Sequence, residues 1–411
     1  MASLVKHGKH EKRRVKKRNR FLTALLIIAA VLAILYTVAV YSDIPFIKKY
    51  RDLYIETAMN TFTHKWLATR FIPKSVIDKV VANAESQIEA NIVDESAPPP
   101  PSGSAAIPWD PGEPTAPVQE QAGEEPDPKE AAREAFLTVF HELDADTLPE
   151  EYLDWDYETL MLSGISDMGI KTTAGDAVWA IDAVNGILIM EIAEGSYRGK
   201  LAIVKDPSKV FVGVSTSESR GWTIGEHLSK NDAVLGINAN GFVDPEGEGR
   251  GESAVGLIIA GGKIMNPADD GWGYQVGGFD GEDNFLVGTR LKLSTLRDAA
   301  QFMPAIVVEG TDRVTGSYGL GIQPRTVIGQ NTKKEVLMLV IDGRQVGYSI
   351  GCTVSDCAKI VMRYDCWNAL CMDGGSSSCM AYYGELITKP SSPMVGGRYL
   401  PNAWLVRGQE Q

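Results

Sequence analysis

The hydrophobic and polar positions of the 411-residue chain divide it into four textures. Residues 21–41 are apolar and uncharged, residues 42–95 repeat apolar positions three and four apart, and residues 96–127 are rich in proline and acid. From about residue 155, short β-branched apolar runs alternate with clusters of glycine, aspartate and asparagine. These patterns predict, in order, a membrane-length helix, a helical segment, a disordered linker and a β-rich domain.

The uncharged run at 21–41 is long enough to cross a bilayer core of about 30 Å as a helix. A cleaved signal peptide is the alternative, but its apolar region would span only about 7–15 residues before a small-residue cleavage site. This run instead ends near Tyr36, Tyr41 and Asp43. Nine basic residues against one acid in residues 1–20 predict a cytoplasmic N-terminus. The sequence therefore predicts a single-pass signal-anchor in the cell membrane, with the rest of the chain extracellular.

Five segments are expected along the chain. They are a basic cytoplasmic tail at 1–20, a transmembrane helix at 21–41, a membrane-proximal helical stalk at 42–95, a Pro-rich disordered linker at 96–127 and a folded domain at 128–408. The linker cannot bury enough apolar surface to order itself. The stalk leaves open a homo-oligomer formed through its helices.

The fold class predicted for the domain is α+β, with a β-rich mixed sheet and packed helices. β-branched runs bounded by turn-forming residues account for most of it. The clearest helices are expected at 224–229, 295–301 and 353–364, after a short helix within 128–148.

Charge and scarce residue types narrow the chemistry. The net charge is -13 although the tail is strongly basic, so the acidic domain lacks the basic face that nucleic acid requires, and no nucleic acid is expected as a partner. Only one of the five histidines, His227, lies in the β-rich domain, which excludes a multi-histidine metal centre there. The domain has no Gly-x-Ser-x-Gly motif, P-loop or dinucleotide-binding glycine motif.

Cysteines and acidic turns leave two questions open. The five cysteines all lie between Cys352 and Cys379 without a common zinc-ligand spacing. Their odd number leaves at least one thiol unpaired within the chain, and both buried thiols and one disulfide fit. The sequence requires no cofactor. Acidic turns at 244–248 and 280–284 leave Ca²⁺ open, although solvated acidic loops are the favoured interpretation.

Four segments place polar side chains and glycines at predicted strand ends. They are Asn238-Ala239-Asn240-Gly241-Phe242, Gln323-Pro324-Arg325-Thr326, Asp342-Gly343-Arg344 and Asp373-Gly374-Gly375-Ser376-Ser377-Ser378. Each alone is typical of a tight turn. In this order, and followed by Arg398 and Asn402, they resemble the phosphodiester glycosidase family over about residues 200–408. That family includes N-acetylglucosamine-1-phosphodiester alpha-N-acetylglucosaminidase-like domains and bacterial exopolysaccharide-associated members.

The resemblance implies an enzyme, a glycosidase that hydrolyses a sugar-1-phosphodiester in a glycan or exopolysaccharide. A phosphodiester presents paired oxygens that a guanidinium can bind bidentately. Arg325 is the first candidate for this contact, with Arg344 or Arg398 behind it. The backbone N–H groups of Gly374, Gly375 and Ser376 are expected to form an anion-binding nest.

Cleavage at an anomeric carbon normally uses carboxyl groups. Asp373 is the first catalytic candidate, Asp342 the second and Glu309 the third. Asn238 and Asn240 are expected to bind sugar hydroxyls or an acetamido group. The metal requirement is unknown. The alternative is a non-catalytic or transferase-type module of the same fold that binds or processes cell-wall polymer.

Overall fold

The computed structural model describes residues 2–61, 64–100, 128–149, 156–157, 159–217, 219–244, 247–269, 271 and 273–409. They belong to two compact units, Met1–Ala82 and Asn83–Gln411. Most of the predicted Pro-rich linker, from residue 101 to 127, lies outside the described residues, as do two positions of the first acidic turn.

The smaller unit is helical. Helix α1 (Ala2–Tyr41) contains the stretch Arg20–Tyr41, which has a hydropathy of 2.7 and no buried side chains over its most apolar window. This helix is long and apolar enough to serve as a membrane anchor or a signal sequence. Helices α2 (Pro45–Met59), α3 (Trp66–Thr69) and α4 (Lys74–Ala90) follow. The apolar cluster of this unit consists of Ile55, Ala58, Ala68, Ile77 and Val80.

The larger unit is built on three sheets. Its described strands are β1 (Met161–Ser163), β2 (Ala177–Asp182), β3 (Ile187–Glu194), β4 (Tyr197–Val204), β5 (Val210–Val214), β6 (Ala233–Asn238), β7 (Ile258–Ala260), β8 (Lys263–Asn266), β9 (Gln275–Asp280), β10 (Phe285–Gly288), β11 (Leu296–Phe302), β12 (Ala305–Val308), β13 (Thr311–Asp312), β14 (Arg325–Asn331), β15 (Val336–Ile341), β16 (Cys366–Met372), β17 (Met380–Tyr382), β18 (Glu385–Leu386) and β19 (Asn402–Arg407). The strand orders are β1-β2-β3-β4-β15-β14-β16-β12-β13, β10-β9-β11-β7-β8 and β18-β17-β6-β19-β5.

The predicted α+β, β-rich class is confirmed, but the sheets are antiparallel rather than mixed in every pair of named strands that the structure describes. Tight connections impose this arrangement. Only Gly195, at φ 50°, and Ser196 separate β3 from β4, and a two-residue turn can join only antiparallel strands.

Three helices belong to the larger unit beyond the end of α4: α5 (Pro128–Val139), α6 (Ile224–Lys230) and α7 (Val354–Met362). Thr223 and Thr353 cap α6 and α7 through capping boxes, which confirms the helices predicted at 224–229 and 353–364. The helix predicted at 295–301 is wrong, because this segment is β11, paired with β9 and β7. Burial of both faces removes the alternation that would have identified a strand.

The core lies on both faces of the nine-stranded sheet. Along β4, Leu201 and Ile203 enter one apolar layer, whereas Ala202 and Val204 enter the other, as the pleat of a strand requires. Helix α7 contributes to the first layer, and β6 and β19 contribute to the second. The other two sheets and α7 therefore enclose the central strands whose ends carry the polar motifs.

Residues 93–97 run beside β10 in the larger unit. The main-chain N–H of Ser96 donates to the carbonyl oxygen of Val287 at 2.9 Å, and Thr289 donates to Val93 at 2.9 Å. The carbonyl oxygen of Ala97 accepts from the Trp367 indole at 3.1 Å. The position at which the sequence predicts the linker to begin, residue 96, therefore lies inside a docked segment.

Candidate active site

One edge of the nine-stranded sheet gathers the predicted polar motifs. Strand β14 lies between β15 and β16, with Arg325 opposite Ile341 and Thr326 opposite Met372. The start of β14 and the ends of β15 and β16 consequently lie at the same edge, and so do the residues that follow these ends, Asp342 and Asp373.

Asn238, at the end of β6, joins this edge to a second sheet. Its side-chain amide donates to the carbonyl oxygen of Asp373 at 2.7 Å and accepts from the Thr326 hydroxyl at 2.7 Å. The structure thus brings together the three distant segments that contain Asn238, Arg325 and Asp373, as the sequence interpretation requires.

Asp373 is the half-buried carboxyl at the centre of the site. Its main-chain N–H donates to Ala239 at 3.0 Å, which fixes the turn that follows β16. Burial raises the pKa of Asp373 to about 6, although the Ser377 hydroxyl, the Gly374 N–H and the Arg344 cation all favour the charged form. A carboxyl that titrates near neutral pH can accept or donate a proton during catalysis.

Arg344 is an exposed residue whose partly buried guanidinium lies beside this carboxyl. Its Nη2 donates to Oε1 of Gln323 at 2.6 Å. Gly375 has a φ of 63°, and a Cβ there would lie 3.0 Å from this Nη2, so glycine is required both for the turn and for the close approach. Loss of hydration and the neighbouring Arg325 cation lower the pKa of Arg344, whereas Asp373 raises it.

Arg325 supplies a second, buried cation. Its Nη2 donates to the carbonyl oxygens of Gly321 at 2.7 Å and Leu320 at 3.0 Å, and its Nε donates to Cys352 at 3.4 Å. Within the described part of the chain, neither this guanidinium nor that of Arg344 forms a salt bridge. The site therefore holds two cations that are oriented by neutral oxygens.

Arg398 differs from these two arginines because its charge is already neutralised. It forms a salt bridge with Asp244, donates to the Ser376 hydroxyl at 3.3 Å and lies 4.5 Å from the centre of the Phe242 ring. Its contacts join the loop after β6 to the loop after β16. Arg398 therefore holds these two loops together, and its predicted substrate contact stays a prediction.

The two predicted sugar-binding amides are fully buried. Besides its bonds described above, Asn238 accepts from the Cys379 N–H at 3.1 Å. Asn240 donates to three carbonyl oxygens, those of Val255, Leu257 and Gln301, and accepts from Asn402 at 2.9 Å. Both side chains thus form hydrogen bonds within the protein and hold the edge together, and their predicted sugar contacts stay a prediction.

The second carboxylate candidate, Asp342, lies at the same edge as Asp373 but is engaged within the protein, and the third, Glu309, lies at the other edge. Asp342 is buried and accepts from the Lys389 N–H at 2.8 Å and the Tyr348 hydroxyl at 3.0 Å; burial raises its pKa. Glu309 follows β12, which is antiparallel to β16 with Ala305 opposite Leu370. Glu309 therefore lies at the opposite edge and is removed from the site.

The predicted anion nest is not formed by the glycine loop. The Gly375 N–H donates to the Pro324 carbonyl oxygen at 3.0 Å, and that of Gly374 faces the Asp373 carboxylate. The chain then makes a 3-10 turn over Gly375–Ser377. The loop therefore supports Asp373 rather than an external anion.

Sequence reasoning missed an aromatic wall beside the carboxyl. The rings of Tyr274 and Phe302 lie 5.8 Å apart, and a Cβ on Gly241 would meet Phe302 at 3.1 Å and the Asp373 carboxyl carbon at 3.8 Å. Burial, Asp269 and Asp373 raise the pKa of Tyr274. These aromatic residues come from the sheet containing β9 and β11, so no motif spacing connects them to Asp373. Gln323, by contrast, is the first residue of the second recognised motif.

The structure provides no open cation site at the two acidic turns, as far as their residues are described. Asp280 accepts from main-chain groups of its own turn, and Asp244 pairs with Arg398. His227 is buried and hydrogen-bonds to the Leu400 carbonyl oxygen at 3.1 Å; burial lowers its pKa to about 4. It is a core histidine.

The larger unit is thus an α+β domain with a carboxyl and two guanidinium groups at one sheet edge. Residues 231–407 match the model of the phosphodiester glycosidase family, and this range contains all four motifs. The chain therefore carries a phosphodiester glycosidase domain, which confirms the resemblance. No curated protein matches the chain.

Three solved structures are similar to this chain. The catalytic domain of zebrafish N-acetylglucosamine-1-phosphodiester alpha-N-acetylglucosaminidase, auto-inhibited by its pro-peptide, is 17% identical over 54% of this chain and 82% of its own, with a TM-score of 0.45. A hypothetical protein from Synechocystis is 14% identical over 58% and 65%, with a TM-score of 0.42. A protein described as exported, from Burkholderia pseudomallei, is 13% identical over 51% and 74%, with a TM-score of 0.38.

Proposed function

We propose that this protein is a membrane-anchored phosphodiester glycosidase that hydrolyses a sugar-1-phosphodiester linkage in an extracellular glycan or exopolysaccharide. The family match of residues 231–407 supports the reaction class. The observation that carries the proposal is Asp373, whose pKa is raised to about 6 beside Arg344. Such a pairing suits an anionic substrate cleaved with the help of a carboxyl group.

In this proposal Arg344 binds the phosphodiester oxygens. Arg344 is an exposed residue, and its guanidinium donates to the side-chain oxygen of Gln323. The buried Arg325 adds a fixed positive charge behind it. A guanidinium fork matches a pair of phosphate oxygens, so the phosphate would be oriented with its sugar towards Asp373.

Ionised Asp373 then acts at the anomeric carbon. It activates water or stabilises the oxocarbenium-like transition state, while the phosphate departs with its other ester intact. A phosphate is a better leaving group than a sugar alkoxide, so a separate strong acid is not required. Tyr274 and Phe302 form the wall on which the apolar face of the sugar ring would pack.

The location follows from the N-terminal segment. The apolar helix Arg20–Tyr41 is preceded by a strongly basic tail, and positive residues favour the cytoplasmic side. If this helix is retained, it would hold the glycosidase domain at the extracellular side of the cell membrane, within reach of envelope polymer.

Isotope labelling tests the reaction directly. The full chain in detergent would be incubated with a panel of sugar-1-phosphodiesters in ¹⁸O-labelled water, with products read by mass. Glycosidic cleavage places ¹⁸O in the sugar. Label in the phosphate would overturn the glycosidase assignment, as would retention of polymer without any product. Sugar transferred to an added alcohol, without water uptake, would identify a transferase instead.

A further inference from the structure

Two cysteines occupy the positions that usually form an apolar contact at the start of a helix. Thr353 is the N-cap of α7 and exchanges hydrogen bonds with Asp356 in a capping box. Cys352 precedes the cap and Cys357 is the fourth helical residue, which are the two positions of a hydrophobic staple. Their sulfur atoms lie 3.4 Å apart.

Both sulfur atoms are enclosed by protein. Cys352 is 2% exposed and Cys357 is not exposed, so the pair belongs to the apolar layer between α7 and the central sheet. A disulfide needs an S–S separation of about 2.05 Å. The two sulfur atoms are therefore only about 1.4 Å farther apart than in a disulfide.

The pair is connected to the candidate site through the main chain of Cys352. Cys352 exchanges two hydrogen bonds with Gln323, at 3.0 and 3.1 Å, and its carbonyl oxygen also accepts from Nε of Arg325. Gln323 in turn holds Arg344. Any bond that fixes Cys352 to α7 therefore also fixes the support of both guanidinium groups.

We propose that Cys352 and Cys357 form an intramolecular disulfide that locks the start of α7 and positions Arg325. The oxidant is a disulfide, either of a thiol–disulfide oxidoreductase or of a small molecule. One cysteine thiolate attacks the oxidant, releasing its first thiol; the second thiolate then attacks the mixed disulfide, releasing the other. The two cysteines lose two protons and two electrons, and the oxidant disulfide becomes two thiols.

The timing of oxidation follows from the environment of Cys357. The Cys352 sulfur and burial raise its pKa well above the ordinary value, so the reactive thiolate is scarce in the folded protein. We therefore expect rapid oxidation before α7 packs on the sheet, and slow oxidation of the folded, reduced chain. The extracellular location proposed above would supply oxidising conditions, but the bond itself can be tested in vitro.

Two samples of the full chain test the proposal by peptide mapping. One is produced in bacterial cells with free thiols alkylated in denaturant at lysis. The other is purified reduced, equilibrated with glutathione redox buffers at pH 8.5 and then alkylated. We expect a peptide pair joined through Cys352 and Cys357, about 2 Da lighter than its reduced form. Five alkylated cysteines in both samples, or a bond between other cysteines such as Cys357 and Cys371, would overturn the proposal.

Variants separate this bond from ordinary core packing. Cys352→Ala should abolish the linked peptide, whereas Cys366→Ala, which also removes a buried thiol, should retain it. Reduction should lower the Tm of the wild type and of Cys366→Ala by a few degrees and leave that of Cys352→Ala unchanged. An equal response of all three to reductant would argue against a structural bond.

Discussion

Both ends of the central strands carry acidic and basic side chains. These side chains form salt bridges with one another at one end but, among the described residues, not at the other. Val336 at the start of β15 lies opposite Val204 at the end of β4, whereas at the other end Ile341 lies opposite Arg325 and Gly199. At the first end, Glu335 precedes β15 and Lys205 follows β4. The second end carries the candidate site. The two ends differ in whether their charged side chains neutralise one another.

At the first end each charge has an opposite charge in contact. Lys205 Nζ is 2.6 Å from Oε1 of Glu142 and 2.9 Å from Oε1 of Glu335, and His141 is 3.0 Å from Glu335. Burial is the largest influence on both acids and opposes their ionisation. At Glu335, Lys205 and His141 together outweigh burial and lower the pKa, whereas at Glu142 burial prevails and the pKa is raised. The imidazole and the two carboxylates could hold a metal by spacing alone, but the lysine ammonium already occupies their centre.

At the second end, the guanidinium groups of Arg325 and Arg344 form no salt bridge with any described residue. Neutral oxygens of Gln323 and of main-chain carbonyls orient Arg344 and Arg325, while Asp373 retains a pKa of about 6. Charges that are fixed in place but not neutralised are available to a ligand. Buried ion clusters alone are therefore a poor indicator of a functional site in this fold.

The largest effect is expected from breaking the neutralised end. Lys205→Met leaves two buried carboxylates without their common cation, so we expect a loss of about 3–5 kcal/mol in the free energy of unfolding, measured with urea. The kcat/KM of the remaining folded enzyme should be unchanged. Lys263→Met, on exposed β8, is the control and should alter stability by less than about 0.5 kcal/mol. A large loss of catalysis with little loss of stability in Lys205→Met would reverse the comparison.

The second-largest effect is expected on turnover, from a change at the candidate site. Asp373→Asn removes the carboxylate charge with little change of shape, and we expect kcat/KM on a sugar-1-phosphodiester to fall about 10³-fold, within the usual range for an acid–base group. Glu309→Gln is the matched control, because Glu309 is an exposed acid at the opposite edge. Similar losses in both variants would show that the assay does not report on Asp373.

The sequence predicted the convergence of the motifs better than the role of each residue. The common position of Arg325 and Asp373 at one edge could be predicted because each lies where an apolar strand meets a polar turn. That pattern is visible in the local sequence. The engagement of Asn238 and Asn240 by carbonyl and hydroxyl groups is not local, because their partners come from other sheets. The strand β11 was mistaken for a helix for the same reason: its pairing with β9 and β7 decides its conformation.

A third, smaller effect is a gain in stability from the same Asp373→Asn change. Because burial raises the folded-state pKa from about 4 to about 6, the folded protein favours the protonated carboxyl, which is neutral like asparagine. The wild type should therefore match the variant in stability below about pH 4 and lose stability relative to it as the pH rises through about 6. Each pKa unit corresponds to about 1.4 kcal/mol, so for this half-buried group the variant should be about 1–3 kcal/mol more stable at pH 7.5. Urea unfolding of both proteins between pH 4 and about 8 measures the difference; a gap that does not grow with pH would contradict the raised pKa.

The smallest effect distinguishes the exposed guanidinium from the general positive charge of the site. Arg344→Ala removes a charged hydrogen-bond donor worth about 1.5–3 kcal/mol, so we expect KM and the inhibition constant of a phosphate monoester to rise about tenfold or somewhat more, with a smaller change in kcat. Arg344→Lys retains the charge but not the planar pair of donors, so it should recover only part of the affinity. Full recovery in Arg344→Lys would mean that charge alone binds the phosphate. An unchanged inhibition constant in Arg344→Ala would instead transfer the anion contact to Arg325, the other cation of this edge without a carboxylate partner among the described residues.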